Sequence, residues 1–80
     1  METSEIKKLI EDGIANAEVI VTGDGGKYEA TVISAAFEGL SMLKEHQLVY
    51  KTVNAQIVSG ELHALTIKAY TPEEWEQNKS

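Results

Sequence analysis

The chain has 80 residues, so we expect one domain, residues 1–80, near the lower size limit for folding around a single core. It has no cysteine, which excludes a disulfide framework, a thiolate nucleophile and a cysteine-ligated zinc or iron–sulfur centre held by the chain alone. The formal net charge is −6 and all seven basic residues are lysines, which disfavours phosphate-backbone binding and removes guanidinium recognition of guanine.

The first predicted elements are a helix and a β-hairpin. Apolar residues recur at helical spacing within residues 6–14, and Thr3 or Ser4 can cap this helix. Residues 18–22 are a β-branched run and residues 27–34 alternate, so both segments are predicted strands. A glycine-rich turn, whose residues can adopt positive φ, separates the two strands. The turn residues are Gly23, Asp24, Gly25 and Gly26.

The middle of the chain is predicted to be helical. Residues 40–59 contain neither proline nor glycine, and they carry an apolar stripe at three/four spacing that includes Leu43 and Tyr50. One long helix fits this pattern, and two helices broken within residues 45–48 fit it about as well. Gly60 then ends the element.

The last predicted elements are a short strand and a helix whose start is strongly specified. Thr71 is a good N-cap, Pro72 suits the first helical position, and Glu74 completes a capping box. Tyr70 and Trp75 can form a hydrophobic staple across the cap. The strand must therefore end near Tyr70.

The predicted order is αββααβα, without repeats or linkers. A hairpin plus one further strand, covered by helices on one face, gives an α+β fold with two layers and a three-stranded sheet. No apolar run is long enough to cross a membrane, so we expect a cytoplasmic protein without a membrane partner.

Residues 61–75 read E-L-H-A-L-T-I-K-A-Y-T-P-E-E-W. This segment resembles the C-terminal signature of the BolA family: a hydrophobic residue, His, a small residue and an alternating strand, then aromatic-Thr-Pro-Glu-x-Trp. The ending is most similar to the YrbA/IbaG-like bacterial branch. The resemblance spans roughly residues 6–75, and it implies a fold like the type II K-homology (KH) domain. It also favours the break in the middle helix.

His63 opens the last predicted strand and is the main candidate site residue. From chemistry alone, a lone histidine that shares a strand face with Leu65 and Ile67 is more often a partly buried residue satisfied by the backbone. The resemblance implies a different role, as ligand to a [2Fe-2S] cluster shared with a monothiol glutaredoxin and glutathione. An imidazole that replaces a thiolate removes negative charge from such a cluster.

The hairpin turn is the second candidate, because family members often place a second cluster ligand there. Here Asp24 is a weak candidate, since a hard carboxylate suits iron bridged by sulfide poorly. Lys27 cannot ligate while it is protonated, and a plain flexible turn is the simpler interpretation. The expected partner-binding residues are Gly23, Asp24, Gly25, Gly26, Lys27, His63, Lys68 and Tyr70.

A nucleic-acid-binding regulator of stress response and morphology is the alternative function that the resemblance implies. Lys44, His46 and Lys51 would then carry the contacts. Glu45 and Gln47 flank His46, however, and remove the charge that such contacts need. We therefore expect His46 to pack between the two middle helices.

No catalytic set is visible in the sequence, because no nucleophile stands at a recognisable spacing from a base. We therefore expect a non-enzymatic partner of a monothiol glutaredoxin in iron–sulfur cluster transfer and iron homeostasis. A metal-free protein–protein adaptor is a third possibility, and a homodimer is an alternative association.

Overall fold

The computed structural model describes residues 2–24 and 27–79, and the order of elements is the predicted αββααβα. The elements are α1 (Thr3–Gly13), β1 (Glu18–Asp24), β2 (Lys27–Ile33), α2 (Met42–Thr52), α3 (Asn54–Ser59), β3 (Ala64–Tyr70) and α4 (Pro72–Lys79), with a 3₁₀ turn, Ala35–Phe37, between β2 and α2. None of the helices in these two ranges is long and apolar enough to cross a membrane.

The three strands form one sheet in the order β1-β2-β3. β1 and β2 are antiparallel, with Asp24 opposite Lys27 at the hairpin end. β2 and β3 are parallel, with Lys27 opposite Ala64 and Ile33 opposite Tyr70. Because parallel strands begin at the same end of a sheet, the hairpin turn and the start of β3 are neighbours.

One face of the sheet forms the core together with the helices. Along β2, Ala30 and Val32 are fully buried, and α1 and α2 pack over β1 and β3 on this side. The predicted two-layer α+β arrangement is therefore confirmed. The buried cluster consists of Ile6, Ile10, Ile14, Val19, Ala30, Val32, Phe37, Val49, Val53, Leu62 and Ile67.

The opposite face of the sheet is more polar. Lys68 of β3 forms an ion pair with Glu29 of β2 at 3.3 Å, and Ile20 of β1 is 43% exposed. Ile33 is buried on this face, at the end of β2 where Tyr70 is its neighbour in register.

The break in the middle helix lies at Val53, outside the predicted region of residues 45–48, which is within α2. Val53 has φ −119° and ψ 15°, and its side chain is fully buried. Residues such as Glu45 and Leu48 favour helix, whereas the β-branched pair Thr52 and Val53 disfavours it. The bend thus occurs where helix propensity is low and where core packing holds the side chain.

The start of α1 also differs from the prediction. Glu2 is the N-cap residue, and its backbone N–H donates to Glu5 Oε1 at 2.9 Å. Thr3 and Ser4, the predicted caps, instead lie inside the first turn. The hydroxyl of Thr3 or of Ser4 could have capped the helix. The backbone is already helical at Thr3, however, so the cap position falls on the residue before it.

The start of α4 is as predicted. The backbone N–H of Thr71 donates to Glu74 Oε1 at 2.8 Å, and the N–H of Glu74 donates to Thr71 Oγ1 at 3.2 Å. The rings of Tyr70 and Trp75 lie 5.4 Å apart, centroid to centroid. Both the capping box and the hydrophobic staple are therefore formed.

α1 comes close to α2 at Gly13, where an added Cβ would collide with the Thr52 side chain. A helical Gly→Ala change normally stabilises by about 0.5–1 kcal/mol. We expect Gly13→Ala instead to lower the free energy of unfolding by about 1–3 kcal/mol, measured by urea denaturation, because the added methyl overpacks this contact. In a Thr52→Ser background, which removes the obstructing methyl group, most of that cost should disappear. Equal costs in both backgrounds would contradict this steric explanation.

Candidate functional site

His63 lies at the end of the sheet where the hairpin turn and the start of β3 meet. It directly precedes Ala64, whose register partner is Lys27, the first residue after the turn. Lys27 of the predicted partner surface is therefore close to His63 in the fold, and Gly23 lies at the same end of the sheet, one strand farther away. Gly25 and Gly26, which were also predicted to belong to this surface, lie outside the described residues.

The segment that presents His63 is held by backbone bonds and by one buried side chain. Gly60 ends α3 in the left-handed conformation at φ 84°, and the N–H of Leu62 donates to the carbonyl oxygen of Gln56 at 3.1 Å. Leu62 is only 2% exposed. The backbone on the N-terminal side of His63 is thus anchored to α3 and to the core.

The imidazole of His63 itself is exposed. It makes no hydrogen bond or ion pair with any residue that the structure describes, so the sequence-based alternative of a partly buried, backbone-satisfied histidine does not apply. His63 Cε1 lies 3.9 Å from where a Cβ on Gly60 would be, so the ring passes over the glycine turn. The side chain is available to a partner.

The hairpin on the other side of the site depends on Gly23. This residue has φ 135°, and a Cβ there would lie 2.8 Å from Tyr28 Cα and also collide with the Lys27 carbonyl oxygen. Only glycine fits, so the geometry of the hairpin is constrained by this residue. The backbone of Asp24 pairs with Lys27, which places the weak candidate ligand at the same sheet end as His63.

The remaining predicted partner residues lie farther along β3. Lys68 and Tyr70 are four and six positions beyond Ala64, or about 13 Å and about 20 Å along the strand. Lys68 is paired with Glu29, and the Tyr70 ring packs against the Trp75 ring at a tilted angle of 52°. The predicted partner surface therefore divides into one group around His63 and a second group at the opposite end of β3.

Tyr50 is a residue near the site that the sequence pattern did not single out. Its hydroxyl donates to the carbonyl oxygen of Leu65 at 3.1 Å, two residues after His63, while its side chain stays 41% exposed. In the sequence it is one of several apolar positions on α2, and no local signal separates it from them. It ties α2 to the start of β3.

The residues of the alternative nucleic-acid surface are not brought together. Lys44 and Lys51 are seven positions apart on α2 and share one side, whereas His46 is rotated by about 200° from Lys44. His46 is half-buried and lines a cavity between α2 and β3, so the expected packing between the two middle helices is wrong.

Among the residues that the structure describes, no three His, Asp or Glu side chains are grouped closely enough to hold a metal ion.

Leu62 and His63 are adjacent, but truncating each side chain should change the stability of the fold by very different amounts. We expect His63→Ala to change the free energy of unfolding by less than about 0.5 kcal/mol, because the side chain is exposed and without a described partner. Leu62→Ala should cost about 2–5 kcal/mol through the cavity that it leaves in the core. Urea denaturation of both variants tests this contrast, and a large loss of stability in His63→Ala would contradict it.

Comparison with known proteins identifies the family of the chain. A sequence model of the family described as BolA-like protein matches residues 6–74. The acid stress protein IbaG of Escherichia coli (strain K12) is 35% identical over 79 residues, covering 99% of this chain and 94% of that protein.

Solved structures show the same similarity. A BolA protein homologue from Coxiella burnetii has 40% identity and a TM-score of 0.83, with 95% of this chain and 97% of that chain covered. Yeast Fra2 has 32% identity and a TM-score of 0.75, with 96% of this chain and 86% of that chain covered. Because the family match and these relatives extend over nearly all of the sequence, the chain belongs to the BolA family, in its IbaG-like bacterial branch.

Proposed function

We propose that this protein is a non-enzymatic partner of a monothiol glutaredoxin in the binding and transfer of a [2Fe-2S] cluster, with His63 as its ligand. The observation that carries the proposal is an exposed imidazole, without a described partner, on an anchored segment at the family's ligand position. The imidazole can be offered to a partner without breaking any interaction seen in the described part of the fold.

The chemistry of the donor set fits a shared cluster. The chain has no cysteine, so it offers an imidazole where the glutaredoxin and glutathione would offer thiolates. A histidine ligand leaves a cluster less negative than a cysteine ligand does, which raises its reduction potential. The cluster is therefore cargo shared between two proteins.

In this proposal, the hairpin shapes the surface that the partner contacts and does not supply a strong cluster ligand. Gly23 constrains the turn beside His63, and Lys27 is exposed at its end. Asp24 remains a weak second ligand because a carboxylate suits an iron–sulfide cluster poorly. A partner would thus contact the hairpin and the start of β3 together, at the end of the sheet where both begin.

The proposal includes a cytoplasmic location and, as the resemblance implies, roles in iron homeostasis and stress response. The name of the E. coli relative, an acid stress protein, supports the stress-response part.

The His63 assignment can be tested with a cluster-loaded monothiol glutaredoxin. Adding the wild-type protein should change the visible absorption and circular dichroism of the cluster, because a new ligand alters its charge-transfer bands. His63→Ala should abolish this change while keeping its far-UV spectrum and stability. His46→Ala is the matched control, since it replaces the chain's other histidine, which faces the α2–β3 cavity, and it should behave as wild type.

Identical spectra for wild type and His63→Ala would reject the ligand assignment. If the two proteins still bound the glutaredoxin equally, a metal-free adaptor would become the better description.

The nucleic-acid alternative makes a separate prediction. With net charge −6 and with Lys44 and His46 on different sides of α2, we expect at most weak binding to duplex DNA. Any mobility shift should disappear between about 50 mM and about 200 mM salt, as a few phosphate contacts require. A shift that is selective for sequence and persists at the higher salt concentration would favour the alternative.

A further inference from the structure

The outer edge of β3 carries backbone groups that point away from the sheet. β3 is an outer strand, because the strand order is β1-β2-β3. The carbonyl oxygen of Tyr70 accepts the N–H of Ser34, the residue after β2, so the backbone of Tyr70 faces β2. Backbone groups of successive strand residues face opposite sides, so those of Leu65, Ile67 and Ala69 face away from β2.

α2 covers this edge at one end only. The Tyr50 hydroxyl donates to the carbonyl oxygen of Leu65 at 3.1 Å, which agrees with the outward direction and satisfies that group. Beyond this bond, a cavity of about 250 Å³ separates α2 from β3, with Met42, Ile67 and Ala69 in its walls. In the part of the chain that the structure describes, β2 is the one strand that pairs with β3, so the outward N–H and carbonyl groups of Ile67 and Ala69 have no backbone partner.

The side of α2 that faces the sheet loses its cover beside this edge. Val49 is fully buried, His46 is half-buried and Met42 is 72% exposed. These positions are three and four residues apart, so they share one face of the helix. The core-facing side of α2 therefore ends at a large apolar side chain that is open to solvent, next to the unpaired edge of β3. A further strand beside β3 would cover both.

The size and charge of the cavity indicate what such a strand would be. Most small-molecule sites have volumes of about 300–1,000 Å³, so this smaller cavity suits one side chain of a longer ligand. Glu45 and His46 are the polar side chains that α2 contributes to its wall. Lys68 lines the cavity as well, but its ammonium pairs with Glu29 at 3.3 Å. With the Glu45 carboxylate in the wall and a net charge of −6, the surroundings favour a positively charged ligand.

We propose that the edge of β3 at Ile67 and Ala69 binds an extended, positively charged segment of a partner polypeptide as a fourth strand, with one apolar side chain of that segment in the cavity beside Met42. Addition of a strand to an exposed sheet edge is a recurring mode of peptide recognition, in which main-chain hydrogen bonds supply affinity and pockets select side chains. The hydroxyl of Tyr50 limits the pairing to the second half of β3. This site is at the end opposite His63, so it is separate from the proposed cluster site and does not rest on it.

The peptide acetyl-Lys-Thr-Val-Thr-Lys-amide is a suitable probe, because its valine and both lysines share one face of a strand. Amide hydrogen exchange, followed by NMR, measures the N–H groups of Ile67 and Ala69. At a peptide concentration about ten times the Kd, we expect their exchange to slow about tenfold. The N–H groups of Thr66 and Lys68, which face β2, should change little.

Methylation of alternate backbone nitrogens of the peptide tests for strand pairing. A strand pairs with one neighbour through every second residue, so methylating one alternate set should abolish binding and methylating the other set should be tolerated. These two peptides need no variant of the protein, so they decide the question even if a variant fails to fold.

Three variants of the protein locate the site. Ala69→Pro removes one outward N–H at an edge position, where proline is tolerated, and it should weaken binding about fivefold. Glu45→Lys should weaken binding at least about threefold by reversing the charge in the cavity wall. Glu11→Lys, at an exposed position on α1, changes the net charge equally and should bind as wild type does.

The proposal is rejected if the two methylated peptides bind alike, or if the exchange of Ile67 and Ala69 does not slow. Slow exchange of these N–H groups in the protein alone, becoming slower as the protein concentration rises, would also overturn it, because the edge would then pair with a second copy of the chain.

Discussion

The parallel pairing of β2 with β3 is the constraint on which the rest of the molecule depends. A parallel pair cannot be joined by a tight turn, so the chain must cross the sheet through a helical connection, here α2 and α3. The same pairing brings the hairpin turn and the start of β3 to one end. Lys27 and Ala64, the residue after His63, therefore become register partners although they are far apart in the sequence.

Stability and recognition are divided between adjacent residues at this end of the sheet. Leu62 is buried and bonded to α3, while His63 projects outwards. Because the anchor and the candidate ligand are different side chains, the histidine can be changed without unfolding the domain. The opposite end of β3 has a separate character, since the cavity lined by Glu45 and His46 lies there, away from His63. The two ends can therefore be tested independently.

Sequence rules succeeded where one local interaction determines the outcome. The capping box of Thr71 and Glu74 and the staple of Tyr70 were readable because their partners are within five residues. The same rules failed at Thr3 and Ser4, where several polar residues could each act as the cap. They also misplaced the break in the middle helix, because a helical pattern continues through residues 45–48 and the burial of Val53 is visible only in the fold.

By itself, the sequence determined the order of elements, the α+β class, the start of α4 and the identity of His63 as the residue to test, because these depend on local spacing or on a short signature. Only the tertiary structure decided that His63 is exposed beside the hairpin, that Lys68 and Tyr70 lie at the other end of the strand, and that His46 faces β3. Those features depend on strand register and helix rotation, which are determined by contacts between residues distant in the chain.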